Sequence, residues 1–151
     1  MKPSGACFYL IRSSEGCRLK AYKDSAGVLT IGYGHTGPDV TPGLTITMKR
    51  AEELLAGDVA TAADVVNKYA LPCTQGQFDA LTDFVFNLGE GAFLRSTLLK
   101  KHQAGNYTGA AQEFQRWIYG GGRALPGLIK RRAAEAHLYL SDKLPHSEDE
   151  E

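Results

Sequence analysis

The sequence feature that most restricts the fold is a change of period. From Glu15 to Gly37 the chain reads EGCRLKAYKDSAGVLTIGYGHTG. Leu19, Tyr22, Val28, Thr30, Ile31 and Tyr33 favour strands, and KDSAG supplies turn residues. Gly32, Gly34 and Gly37 point to close backbone approach or positive φ. After the loop GPDVTPG, Leu55, Val59, Ala62, Val66 and Tyr69 recur at helical spacing. Thr47 is placed to cap this helix, over roughly 48–70, and Pro72 to end it. At about 1.5 Å per residue it extends roughly 30 Å, enough to join two lobes. A short sheet followed by a long helix excludes an all-α or an all-β chain.

The flanks are helical. Residues from about Ser4 to Ser14 form a first helix, with Cys7, Phe8 and Ile11 on its apolar side and Gly16 as its stop. Thr74 to Gln77, TQGQ, is a capping box opening a helix with Phe78, Leu81, Val85 and Leu88 on one stripe. Shorter helices are expected near 96–104 and 109–119. YGGGRALPG reads as a loop, and Pro126 starts a last helix reaching about Leu140. The expectation is one α+β domain over 1–140. Its β lobe covers about 15–46, and its helical lobe covers about 71–140 plus the N-terminal helix. The polar, acidic tail 141–151 is expected to be disordered.

Charge is balanced overall but not along the chain. Lys and Arg number 17, as do Asp and Glu. Five acids and one lysine fall in the last eleven residues, so residues 1–140 carry sixteen bases against twelve acids. Such a mildly basic body suits a polyanionic surface, and equally suits none. The three cysteines, Cys7, Cys17 and Cys73, cannot all pair and form no CxxC pattern. They are expected as free thiols. The apolar run ACFYLI is too short for a signal-peptide core or a membrane span, so neither export signal nor membrane insertion is expected. Scattered histidines and unclustered cysteines predict no metal site, and neither GYG nor GGG sits in a phosphate-loop context, so no cofactor is expected.

The acids of the glycine-rich stretch carry the chemistry. Eight residues separate Glu15 from Asp24, and five separate Asp24 from Thr30. Glu15 falls at a helix C-terminus, where the dipole disfavours negative charge and favours a retained proton, the property of a general acid. Asp24, in a hairpin turn, should remain ionised. Two carboxylates in unlike settings are what glycosidic cleavage requires. The Thr30 hydroxyl can hold a water against the aspartate. Taken one at a time, these are also an ordinary helix-end acid, a turn former and a strand residue. His35 reads either as an acid–base group or as a structural histidine tied to a carboxylate. Lys130, Arg131 and Arg132 read as a solvated helix face, as partners of an acid, or as a contact for nucleic acid.

The stretch resembles the phage-type lysozymes, the endolysins of glycoside hydrolase family 24. The family pattern is Glu, eight residues, Asp or Cys, five residues, Thr, and Glu15, Asp24 and Thr30 match it. LKAYKD, GVLTIGYGHT, QFDAL…FNLG in residues 77–89 and GGGR-x-LPGL…RR-x-x-E in residues 120–135 match as well. The resemblance implies a lysozyme-like fold, with a small N-terminal antiparallel sheet lobe and a larger helical lobe joined by a long helix. It implies a muramidase hydrolysing the β-1,4 bond between N-acetylmuramic acid and N-acetylglucosamine. Glu15 would be the general acid, and Asp24 with Thr30 would position water. Hydrolysis would be inverting. His35, Phe86 and Asn87 would contact the glycan. A basic residue would approach Glu15, with Arg123, Lys130, Arg131 and Arg132 as candidates. The implied partner is peptidoglycan, not nucleic acid. The implied setting is a monomer held in the host cytoplasm until a holin gives access to the wall. A non-catalytic peptidoglycan-binding part and a chitin-directed hydrolase are the rival readings.

Overall fold

Ser4 opens the first helix, α1 (Gly5–Glu15), its Oγ accepting from the Ala6 N–H. In this computed structural model, which describes residues 1–142, Gly16 ends α1 at φ 67° and donates its N–H to the Arg12 carbonyl. The turn delivers the chain into three antiparallel strands, β1 (Arg18–Lys23), β2 (Leu29–Gly32) and β3 (His35–Thr36), in the order β1-β2-β3. Central β2 pairs Thr30 with Tyr22 on one side and with Thr36 on the other. The register of β1 shifts between Arg18 and Tyr22.

Thr47 caps α2 (Met48–Tyr69) by accepting from the Arg50 N–H, as its side-chain type favours. One stripe of α2 is buried over its whole length, and its two halves serve different cores. Ala51, Leu55 and Val59 pack with Cys7, Ile11 and Tyr33 beneath the sheet. Ala62, Ala63 and Val66 join the larger core of the helical lobe. The helix therefore belongs to both lobes.

The helical lobe is built around α3 (Gln75–Leu88), whose predicted Thr74–Gln77 capping box is present. Every residue from Gly76 to Val85 is buried, as expected only of a helix surrounded on all sides. Phe84 meets Phe93, Phe114 and Trp117 with ring centroids 5.4–6.1 Å apart. Around it lie α4 (Glu90–Arg95), α5 (Thr97–Gln103), α6 (Tyr107–Glu113) and α7 (Pro126–Tyr139), which begins at its proline as read from the sequence. A Cβ on Gly76 would come 2.4 Å from the Leu138 carbonyl, so this glycine permits the close crossing of α3 by the end of α7.

Three expectations need correction. The glycine-rich segment read as a loop contains a small hairpin, β4 (Tyr119–Gly120) and β5 (Arg123–Ala124). Gly121 and Gly122 form its turn with φ of 60° and 81°, a demand that Gly-Gly, like Asn-Gly or Asp-Gly, meets easily. The helix placed at 109–119 starts earlier, at Tyr107 behind the Asn106 cap, and gives way to a 3₁₀ turn at Phe114–Arg116. Helix α4 was not anticipated. It shares Gly89 with the end of α3 and has no side-chain cap at its start. The expectation of disorder for 141–151 concerns, from 143 onward, residues outside the described range.

Candidate active site

Glu15 is the last residue of α1, so the cap that ends the helix also fixes where its carboxylate begins. The β2–β3 turn closes over it. Gly34 has φ 81°, and a Cβ there would lie 2.9 Å from Glu15 Oε1. The turn thus needs glycine twice, for its conformation and for the approach of backbone to carboxylate. From the other side Arg131 Nη1 donates to Glu15 Oε2 at 2.7 Å. Of the four basic candidates, the one that reaches Glu15 is Arg131, from 116 residues away on α7. The helix end disfavours negative charge on Glu15, and this guanidinium favours it. Sequence reasoning on the helix end alone lacked the second field.

Asp24 and Thr30 are both tied to Val28. Asp24 Oδ1 accepts from the Ala26 and Val28 N–H groups at 2.9 Å each. Thr30 Oγ1 donates to the Val28 carbonyl, also at 2.9 Å. The carboxylate is exposed, whereas Thr30 is buried as the middle strand requires. These bonds leave Asp24 Oδ2 and the Thr30 lone pairs as acceptors.

Between the lobes lies a cleft of about 300 Å³ walled by Gly34, Thr36, Asp58, Val65, Phe86 and Glu90 among others. Phe86 is part of this wall. His35 is half-buried and committed to the protein: Nδ1 is 2.7 Å from Asp58 Oδ2 and Nε2 is 3.0 Å from Asp39 Oδ2. Burial lowers its pKa, but the bonds to Asp58 and Asp39 outweigh burial and raise it. The ring joins the sheet to α2. Asn87 accepts from Arg132 Nη2 at 2.6 Å through Oδ1. The protein thereby orients its amide.

Behind Glu15 is a buried charge cluster that the sequence reading missed. Arg131 donates through Nε to Asp83 Oδ2 at 3.0 Å and through Nη2 to Asp83 Oδ1 at 2.7 Å. Arg132 Nε lies 2.7 Å from Glu135 Oε1, out of line for a hydrogen bond, and Nη2 donates to Oε2 at 3.2 Å. Asp83, Arg132 and Glu135 are fully buried. Burial, and then Asp83, push the Glu135 carboxyl well above the usual range. Burial also acts against charge on Asp83, but bonds to Glu135 and Arg131 prevail and lower its pKa. Burial therefore favours the protonated form of Glu135, and the surrounding bonds favour negative charge on Asp83. The signals available in the sequence were an acid inside the apolar run ALTDFVF and an Arg132–Glu135 pair one helical turn apart.

Comparison with known proteins identifies the family. The sequence profile of the family "Phage lysozyme" matches residues 12–135, a span containing Glu15, Asp24, Thr30, Phe86, Asn87 and Arg131. The chain belongs to the phage lysozyme family. Across 93% of its length this family member is 47% identical to the endolysin of Bacillus phage PZA. It spans 56% of that relative, about half of its length. It is also 47% identical to the endolysin of Acyrthosiphon pisum secondary endosymbiont phage 1, over 87% of this chain and 93% of the other. Among solved structures, the muramidase domain of SpmX from Asticaccaulis excentricus superposes with a TM-score of 0.86 at 39% identity. That superposition covers 93% of this chain and 99% of the domain. The lysozyme-like α+β fold expected from the resemblance is the fold of this chain.

Proposed function

We propose that the protein is an endolysin that hydrolyses the β-1,4 bond between N-acetylmuramic acid and N-acetylglucosamine in peptidoglycan. Glu15 donates a proton to the leaving glycosidic oxygen. Asp24 and Thr30 hold the water that attacks the opposite face of the sugar, and Asp24 takes up its proton. The glycan lies in the cleft beside Phe86, and the oriented Asn87 amide donates to it. The observation that best supports this reading is the tie of both Asp24 and Thr30 to Val28. It leaves free acceptors on two side chains of one hairpin, which a purely structural turn does not need. The protein would act as a monomer, without a cofactor, and would reach the wall from the host cytoplasm once a holin opens the way.

The test is Glu15→Gln, which keeps the shape and removes the proton donor. Loss of a general acid costs about 100-fold or more. Lysis of permeabilised cells should all but cease while the far-UV spectrum is unchanged. Lysis at a tenth of the wild-type rate or above would end the assignment. Reducing-end analysis of digested peptidoglycan should find muramic acid, and glucosamine there would reject the stated bond. Parallel assays on chitin oligomers separate the chitin-directed alternative.

A further inference from the structure

We propose that Asp83 is a positioning residue for the reaction: its two-point clamp on Arg131 aims that guanidinium at Glu15 and limits how much unbalanced positive charge Glu15 meets. This rests on the reading of Glu15 as the proton donor. Guanidinium is planar, with donors in a fixed fork. Asp83 takes the Nε and Nη2 edge at 3.0 and 2.7 Å, so Nη1 is directed at Glu15 Oε2, 2.7 Å away. Arg131 is 6% exposed and Asp83 wholly buried, so water cannot supply a substitute for either partner.

A general acid must be able both to release a proton and to regain it. A buried arginine facing Glu15 alone would hold its carboxylate in the ionised form. With Asp83 on its other edge, the same arginine still fixes the geometry of Glu15, but most of its charge is already balanced. A simple tie between α3 and α7 would need only the Arg131–Asp83 pair and would give no reason for the third bond to Glu15. The charged and titratable groups around the site are consistent with this balance. Helix α7 supplies Arg131, Arg132 and Glu135, α3 supplies Asp79 and Asp83, and α1 adds the buried Cys7 thiol. From the sheet, Gly34 presents only backbone to Glu15. Arg131 and Arg132 thus stand among the carboxyl groups of Asp83, Glu135 and Glu15.

The test removes the balancing charge. In Asp83→Asn, Glu135 could ionise in its place, so the double variant Asp83→Asn/Glu135→Gln is compared with wild type on peptidoglycan from pH 3 to pH 8. Arg131 then acts on Glu15 unopposed, and the acid loses its proton at lower pH. The pH at which the rate reaches half of its acid plateau should fall by about one unit, a tenfold change in proton concentration. A profile lowered uniformly, with its shape kept, would overturn the proposal. A second measurement needs no altered Asp83. The Arg131 Nε–H resonance should exchange slowly with solvent in wild type and in Glu15→Gln, because Asp83 rather than Glu15 holds it. Exchange as fast as that of exposed Arg12 would reject the clamp. Full lysis by Glu15→Gln with a protected Nε–H would instead reject the acid assignment.

Discussion

The sheet should be held to α2 more firmly in acid than in base, and Asp58→Asn should remove most of the difference. A neutral imidazole carries one N–H, whereas the imidazolium carries two. Only the protonated His35 ring can therefore donate to Asp58 and Asp39 together. Its raised pKa gives the sign. The stabilisation is fully present below the unfolded histidine value, about 6.5, and is lost as pH rises through the higher folded value. Asp39 is 55% exposed, so its share is that of a surface pair, under about 1 kcal/mol. Asp58 is 34% exposed and meets a ring only 14% exposed at 2.7 Å, so a charge-assisted bond of about 2 kcal/mol is reasonable. For a chain of this size 1 kcal/mol moves Tm by roughly 2–4 °C. At pH 5.5, Asp58→Asn should melt about 4–8 °C below wild type. Well above the folded titration, only a neutral hydrogen bond is lost and the gap should fall to about 2–4 °C or less. Buried His102 runs the other way, its pKa lowered chiefly by burial, but it is common to both chains and cancels in the difference. Melts followed by circular dichroism from pH 5 to 10 provide the test. A gap of constant size would refute the argument.

Gly34→Ala adds left-handed strain of about 1–2 kcal/mol and pushes a methyl to 2.9 Å from Glu15 Oε1. Lysis should fall roughly tenfold or more for a modest loss of Tm, and unchanged lysis would show that the turn does not position the acid. Thiol titration in denaturant without reductant should find three groups, since Cys7, Cys17 and Cys73 are unpaired. In the native protein Cys7, which is fully buried, should react only on unfolding, and a count of one in denaturant would reveal a bridge. Hydrolysis with water held by Asp24 and Thr30 should invert the anomeric carbon. NMR should then show the α-anomer before mutarotation, and a first-formed β-anomer would exclude inversion.

The legible parts of the fold were those with a long repeat or a local chemical signature. Helix α2 repeats its stripe over six turns, the α3 cap is spelled out in four residues, and Pro126 marks the start of α7. The hairpin at Tyr119–Ala124 has strands of two residues, too short for any alternation to register. Helix α4, six residues without a cap, likewise leaves no pattern. The same division runs through the site. Glu15, Asp24 and Thr30 lie within sixteen residues, so their spacing could be read directly. The choice among Arg123, Lys130, Arg131 and Arg132 could not, because it depends on how the β5 hairpin and α7 pack and on which side of α7 turns inward.

That choice follows from burial once α3 is known to be enclosed. A helix buried on all sides cannot carry an unpaired carboxylate, and Asp83 lies in the middle of such a helix. It requires a cation from a neighbouring element. Arg131 and Arg132 are both buried, whereas Lys130 is exposed, although the three are consecutive. A side chain that reaches inward between α1 and α3 meets both Asp83 and Glu15, and Arg131 has five donors in a plane with which to serve them. Lysine offers a single rotatable ammonium and could not hold two carboxylates in fixed directions. The exposed position bears the lysine and the buried, bridging one bears the arginine. The demand that selects this residue is therefore made by Asp83, the acid that sequence reasoning passed over.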